Sequence, residues 1–269
     1  MNARLFFQVF SVEARKLMSY RADFWITAIV GFIVQFGIVY FLWAAIMPEP
    51  GATIEGYSFD GMVLYYVLVL LLGRVVRGAD HVAPVAQEIY EGALTRYLVF
   101  PVSYFRIKYA QHLGQLVPSS VQLLIFGLTF LVVMRVPEDV AFSPTSVAMA
   151  VVSVAVANML YFTIAVTLQA VAFWADNVWS LTVMFRFVAH LLGGVMLPLA
   201  LFPEWAQSTL AFLPFRYLFD FPVNTLIGRI DPQEWFLGLG VSLVWWIIAV
   251  GIQALVWRRG MLAYTGVGI

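Results

Sequence analysis

The chain has no cysteine, so it offers no disulfide, no thiolate metal ligand and no cysteine nucleophile. Charge is nearly as scarce. Only 11% of the 269 residues are Asp, Glu, Lys or Arg, against about a quarter in an ordinary soluble domain. A water-exposed surface cannot be built from so few charges, which excludes a soluble globular enzyme. The only lysines are Lys16 and Lys108, and neither follows a glycine. A phosphate-binding loop needs Gly-Lys-Ser or Gly-Lys-Thr at its end, so any ATP and Mg that drive this protein sit on another chain, and this one needs no cofactor of its own. His81, His112 and His190 are scattered without an HExxH or related spacing, which argues against a metal site. There is no G-x-S-x-G elbow, and no nucleic-acid partner is expected. What the chain does have is apolar residues, 62% of the total, which excludes disorder. They lie in long continuous runs rather than in the alternating segments of about ten residues that a β-barrel needs. An all-α integral membrane protein remains.

A hydrocarbon core about 30 Å thick takes about 20 apolar helical residues. Six runs qualify: 24–47, 61–78, 113–134, 145–174, 178–202 and 235–257. Residues 1–22 lack the apolar core and small-residue cleavage site of a signal peptide. Arg4, Gln8, Ser11, Arg15 and Ser19 recur at helical spacing instead, which predicts an interfacial helix along the membrane surface. A cytoplasmic extension of the first span is the alternative. Residues 203–228 are apolar and aromatic, but Pro203, Pro214 and Pro222 cut them into pieces too short to span. Two short helices that dip in and return fit this re-entrant segment; the alternative is a loop at the interface.

The zero net charge conceals a separation. With six spans both ends of the chain share one side. Eleven of the fifteen basic residues fall there: Arg4, Arg15, Lys16, Arg21, Arg74, Arg77, Arg96, Arg106, Lys108, Arg258 and Arg259. Arg135, Arg216 and Arg229 fall opposite, and Arg186 falls inside the fifth span. Cytoplasmic loops are enriched in Lys and Arg, so both termini are expected in the cytoplasm.

The largest cytoplasmic connection is residues 84–104. Gln87 to Tyr97 are expected to form about three turns of helix, on which Glu88, Glu91 and Thr95 share a face; Pro101 stops it. Such a helix suits docking in a groove of a soluble partner, although periodicity alone fits an interfacial helix as well. Arg186 is the main intramembrane charge, and His190 lies one turn on. A buried charge faces a partner or a watery path, or its side chain snorkels to the surface. Arg216 and Asp220, four apart between Pro214 and Pro222, can form a local pair.

Two stretches carry a resemblance. The E-x-x-E-G-x-L-x-R-Y-L-x-x-P-V-S pattern of Glu88 to Ser103, which includes Gly92, resembles the coupling-helix region of ABC-2-type transporter permeases. Residues 202–229, FPEWAQSTLAFLPFRYLFDFPVNTLIGR, resemble a second segment of the same superfamily, and the six-span layout is similar over nearly the whole chain. The resemblance implies a permease subunit that pairs with a second permease, as a homodimer or heterodimer, in the lipid of the inner membrane. It also implies ABC ATPase subunits gripping the helix around Glu88 to Arg96, and export. The alternatives are a secondary carrier driven by an ion gradient, or a non-transporting membrane component of an ATPase-driven complex. A carrier commonly shows inverted repeats and a midplane ionisable site; no internal repeat is evident.

Overall fold

The computed structural model describes residues 2–19, 21–49, 51–78, 85–134 and 136–265. His81 and Arg135, named in the sequence reading, lie outside them, as do residue 84 and the side chains of Ser19 and Arg21.

Helix α1 (Ala3–Ser19) lies along the first half of a later helix rather than standing alone. Its Glu13 accepts a hydrogen bond from Gln115 Nε2 at 3.2 Å. Helix α2 (Arg21–Ile46) leaves Ile26, Val30, Ile33, Val34, Phe41 and Leu42 exposed, as a lipid-facing helix does. Two short strands, β1 (Thr53–Ile54) and β2 (Tyr57–Ser58), form a hairpin. Ser58 then caps α3 (Phe59–Arg77) by accepting from the Gly61 amide. Helix α3 is apolar all round and buried nearly all round, the mark of a central helix.

The expected three-turn helix from Gln87 to Tyr97 is in fact two short pieces, α4 (Val85–Tyr90) and α5 (Thr95–Leu98). Gly92 is the cause. It takes φ +68°, a left-handed conformation that glycine adopts without steric cost. The turn is closed by the Gly92 amide on the Ile89 carbonyl at 3.2 Å and the Leu94 amide on the Glu88 carbonyl at 2.9 Å.

Helix α6 (Tyr104–Met134) starts nine residues before the expected run 113–134 and continues unbroken through Pro118. Helix α7 (Pro144–Gln169) opens with a reciprocal Ser143–Ser146 capping box and ends in a 3-10 turn, Ala170–Phe173. Asn158 of α7 donates to the Val75 and Val76 carbonyls at 3.2 and 3.0 Å, so it satisfies the open end of α3.

Helix α8 (Trp179–Leu192) has 14 residues, about 21 Å of rise, so it does not fill the expected run 178–202. The chain turns at Gly193–Gly194. Gly194 has φ +85°, and a Cβ on Gly193 would meet the Phe219 ring at 2.7 Å and the Phe215 carbonyl oxygen at 2.9 Å. A straight span is thus replaced by a bend against the chain that returns over it. Beyond the bend come a 3-10 turn (Leu199–Leu201), α9 (Glu204–Leu210), a second 3-10 turn (Arg216–Leu218) and α10 (Asp220–Leu226). Pro222 does not break this stretch. It occupies the first turn of α10, where its missing N–H has no intrahelical partner to lose. Asp231 caps the last helix, α11 (Pro232–Ala263), by accepting from the Glu234 amide at 2.8 Å.

Five of these segments are long and apolar enough to cross a membrane: Trp25–Ile46, Phe59–Arg77, Tyr104–Met134, Pro144–Phe173 and Pro232–Ala263. The protein is an all-α, multi-pass membrane protein. Its main core surrounds α3. A second core lies beneath α4 and joins Val85, Ile89 and Leu94 to Tyr104, Val166 and Phe173.

Candidate functional site

The bundle has two chemically distinct ends. One gathers α1, the α4–α5 loop, the start of α6 and the end of α11. The other gathers the β1–β2 hairpin, residues 137–143 and the broken segment. Both ends of the described chain therefore lie at the first end.

At that first end Glu88 does not face outward. It is 5% exposed and collects four donors. Lys108 Nζ is 2.6 Å from its Oε1, Tyr104 donates to Oε2 at 2.6 Å, Tyr97 donates to Oε1 at 3.1 Å, and Arg96 approaches Oε1 at 3.5 Å. Lys108 is itself 2% exposed and lies over the Tyr97 ring, 4.5 Å from its centroid. A buried ion pair of this kind contributes only when its remaining lone pairs are occupied, and here two phenols occupy them.

The other residues expected on the Glu88 face diverge, because the break at Gly92 turns α5 away from α4. Glu91 is exposed and accepts from Gln87 at 2.6 Å. Gly92 presents its carbonyl, and Thr95 its hydroxyl, to the phenol of Tyr264 just beyond α11, at 2.8 and 3.1 Å. The Arg96 side chain is 64% exposed. Pro101 is exposed and follows an apolar tip, Leu98, Val99 and Phe100, in which Val99 is 76% exposed. That tip, and the anchors Tyr97, Tyr104, Lys108 and Tyr264, are not evident from periodicity. The i, i+4 spacing of Tyr104 and Lys108 on α6 is the one local signal for them.

The broken segment builds a second polar site at the opposite end. Arg216 Nε lies 3.7 Å from Asp220 Oδ2, as the four-residue spacing suggests, and Arg216 Nη2 lies 3.2 Å from Glu234 Oε1. Asp220 is 4% exposed. The Tyr65 hydroxyl reaches its Oδ1 at 3.0 Å and the Gly194 carbonyl at 2.9 Å, so α3 is tied to the bend. Tyr57 donates to Asn224 Oδ1 at 2.8 Å, and the Arg229 guanidinium stacks 3.4 Å above the Tyr57 ring. Burial raises the Tyr57 phenol well above its usual pKa, which keeps it a donor. Arg229 also binds Asp139 at 3.0 Å, and Ser58 donates to Asp139 from both its hydroxyl and its amide. Burial alone would raise the Asp139 carboxyl; the Ser58 hydrogen bonds and the charge of Arg229 outweigh it and bring the pKa below the ordinary value. Of these groups Tyr57, Arg216, Asp220, Asn224, Arg229 and Glu234 line a cavity of about 210 Å³.

Between the two ends, Arg186 and His190 lie one turn apart on α8. His190 Nε2 lies 3.1 Å from Arg77 Nη1, whose Nε donates to the Gly73 carbonyl at 3.1 Å. Arg186 is half-buried and lines a separate cavity of about 550 Å³ between α4, the end of α7 and α8. Among the described residues Arg186 forms no ion pair with Asp176 or any other carboxylate.

Long apolar helices around a buried central one, with charged side chains collected at the two ends, define a multi-pass membrane protein. A family model of ABC-2 family transporter proteins matches residues 32–268, and the chain belongs to that family. It is a membrane component of a transport system rather than an enzyme. No curated protein and no solved structure matches the chain.

Proposed function

We propose that this chain is the permease subunit of an ATP-driven exporter, which forms the translocation pathway and takes its energy from separate ABC ATPase subunits. The ATPases bind ATP and Mg and dock on the α4–α5 loop. Two permease subunits pair to complete the pathway. Both termini are cytoplasmic, in keeping with the eleven basic residues at their end, and the chain sits in the inner membrane. The sixth crossing is made by α8 together with the bent chain through Phe202, and the segment 203–228 is re-entrant.

The observation that carries this reading is the two-sided build of the loop. Its inner face is fastened to α6 through Glu88 and Lys108 and to the end of α11 through Tyr264. Its outer face is exposed and mixed: Glu91, Arg96 and the apolar tip Leu98–Phe100. An apolar anchor rimmed by charges suits docking into a groove, and the fastening lets a push on the loop reach two spanning helices.

Co-purification under gentle detergent tests it. The tagged chain is expected to recover an ATP-binding subunit. Glu91→Lys with Val99→Asp should abolish that recovery while the protein remains in the membrane. Unchanged recovery would refute the docking assignment. Recovery of an active homo-oligomer that responds to ion gradients would sink the permease reading itself.

A further inference from the structure

The cavity beside Arg186 has no part in the docking reading, and its chemistry points elsewhere. It is walled by two guanidinium groups, Arg77 and Arg186, and none of its described lining side chains carries a carboxylate. Asp176 precedes the lining residue Asn177 in the chain but does not itself line the cavity. The polar wall also holds Gln169, whose Oε1 is occupied by the Val85 and Ala86 amides at 3.0 and 3.4 Å. Arg77 is already engaged by the Gly73 carbonyl and His190; it contributes charge to the wall. Arg186 is the group with donors to spare.

The lining also has an apolar part, with Phe185 and Trp179 of α8. It continues into the exposed face of α8, where Trp179, Val183, Met184 and Phe187 are uncovered. A cavity of about 550 Å³ falls in the size range of small-molecule sites, roughly 300–1,000 Å³. It opens at the N-terminal end of α8, beside α4, at the end of the bundle that holds the chain termini.

We propose that this cavity binds the anionic phosphate headgroup of a bilayer lipid from the leaflet on that side, with Arg186 as the ligating cation. Guanidinium offers a planar fork of donors that fits two phosphate oxygens at once. The acyl chains leave along Val183, Met184 and Phe187. An apolar exit beside two guanidinium groups, with no carboxylate among the described lining residues, selects an anionic amphiphile over a soluble cation, which the arginines would repel, and over a neutral apolar molecule, which would leave Arg186 without an anionic partner.

Native mass spectrometry of the full chain, equilibrated with equal amounts of phosphatidylglycerol and phosphatidylcholine in mild detergent, tests the site. The wild-type protein is expected to retain phosphatidylglycerol in preference. Arg186→Gln should reduce that retention about tenfold, the loss of one charge-assisted hydrogen bond, while Arg186→Lys keeps part of it. Thr182→Phe, which fills the cavity and leaves both arginines, should reduce it as well. Equal retention of the two lipids would overturn the proposal, as would Arg186→Gln retaining phosphatidylglycerol at the wild-type level. Displacement of the lipid by millimolar inorganic phosphate would assign the site to a free anion and overturn the lipid source. Loss of a dimer on Arg186→Gln with lipid retention unchanged would assign the wall to a second copy of the chain, and so overturn it too. ATPase recovery from the same preparations reads the docking assignment separately, so either idea can fail without the other.

Discussion

Lys108 Nζ lies 2.6 Å from Glu88 Oε1, twenty residues away in sequence, with both side chains almost wholly buried. The pair joins α4 to α6 beneath a surface that is otherwise exposed. Removing one partner leaves an uncompensated charge, which costs about 3–5 kcal/mol. Glu88→Ala and Lys108→Ala are therefore each expected to lower the melting temperature in detergent sharply. Glu88→Leu combined with Lys108→Met should recover much of the loss, because no charge is then buried unpaired. Additive losses in the double variant, measured by thermal unfolding, would count against the pair as the element that holds the loop.

Gly92→Ala tests the break between α4 and α5. At φ +68° an L-residue costs about 1–2 kcal/mol. The chain can relieve that strain by continuing the helix, which would swing Arg96 and the Val99 tip to a new direction. The expected outcome is a small change in melting temperature and a large loss of ATPase recovery. A variant that recovers ATPase at the wild-type level would show that the direction of α5 is immaterial to docking.

How much of this was legible in the sequence differs from element to element. Five of the six apolar runs stand out from composition because lipid demands continuous apolar helix. The run 178–202 is as apolar, yet only Trp179–Leu192 of it forms one continuous helix. Hydropathy records that the residues are apolar, but the bend at Gly193–Gly194 depends on Phe215 and Phe219 packing against it from some 25 residues away. The loop at 84–104 is evident as a charged, bounded segment, yet helical spacing continues through Gly92, a residue whose left-handed turn costs nothing locally. Glu88 read as a surface residue because its partners come from α5 and α6, beyond the reach of helical periodicity. The Arg216–Asp220 pair, four apart, could be read directly. Its extension to Glu234 and Tyr65 could not, since those side chains arrive from α11 and α3.

Asp139 gives a pH prediction. Its pKa lies below the ordinary carboxylate value because Ser58 and Arg229 favour the charged form against burial. A carboxyl depressed in the folded state adds stability that is fully present above its unfolded pKa. That stability is lost as pH falls through the lower, folded value. Wild-type protein should therefore lose melting temperature from the ordinary carboxylate range downward. Asp139→Asn should start lower at neutral pH and show a shallower decline. Parallel curves for the two proteins would rule out this linkage.

Tyr264 makes the last case, because it lies at the end of the chain's longest helix and yet bonds to the loop. Its hydroxyl meets the Gly92 carbonyl at 2.8 Å and the Thr95 hydroxyl at 3.1 Å, while its ring packs edge-on to Phe173. Nearby, Trp257 of α11 stacks on Tyr104 with ring centroids 4.8 Å apart, and Tyr104 holds Glu88. At the other end of α11, Glu234 holds Arg216 of the broken segment. One helix therefore contacts the α4–α5 loop and the opposite polar site. Tyr264→Phe removes the two loop hydrogen bonds, worth about 1 kcal/mol each, and keeps the ring. Global melting should barely move, whereas amide exchange should rise across residues 85–98 and stay unchanged at 53–58. In the assembled transporter the variant should bind ATPase but couple it poorly, with ATP hydrolysed and transport reduced. Unaltered exchange in the loop would show that the phenol is not what fastens it to α11.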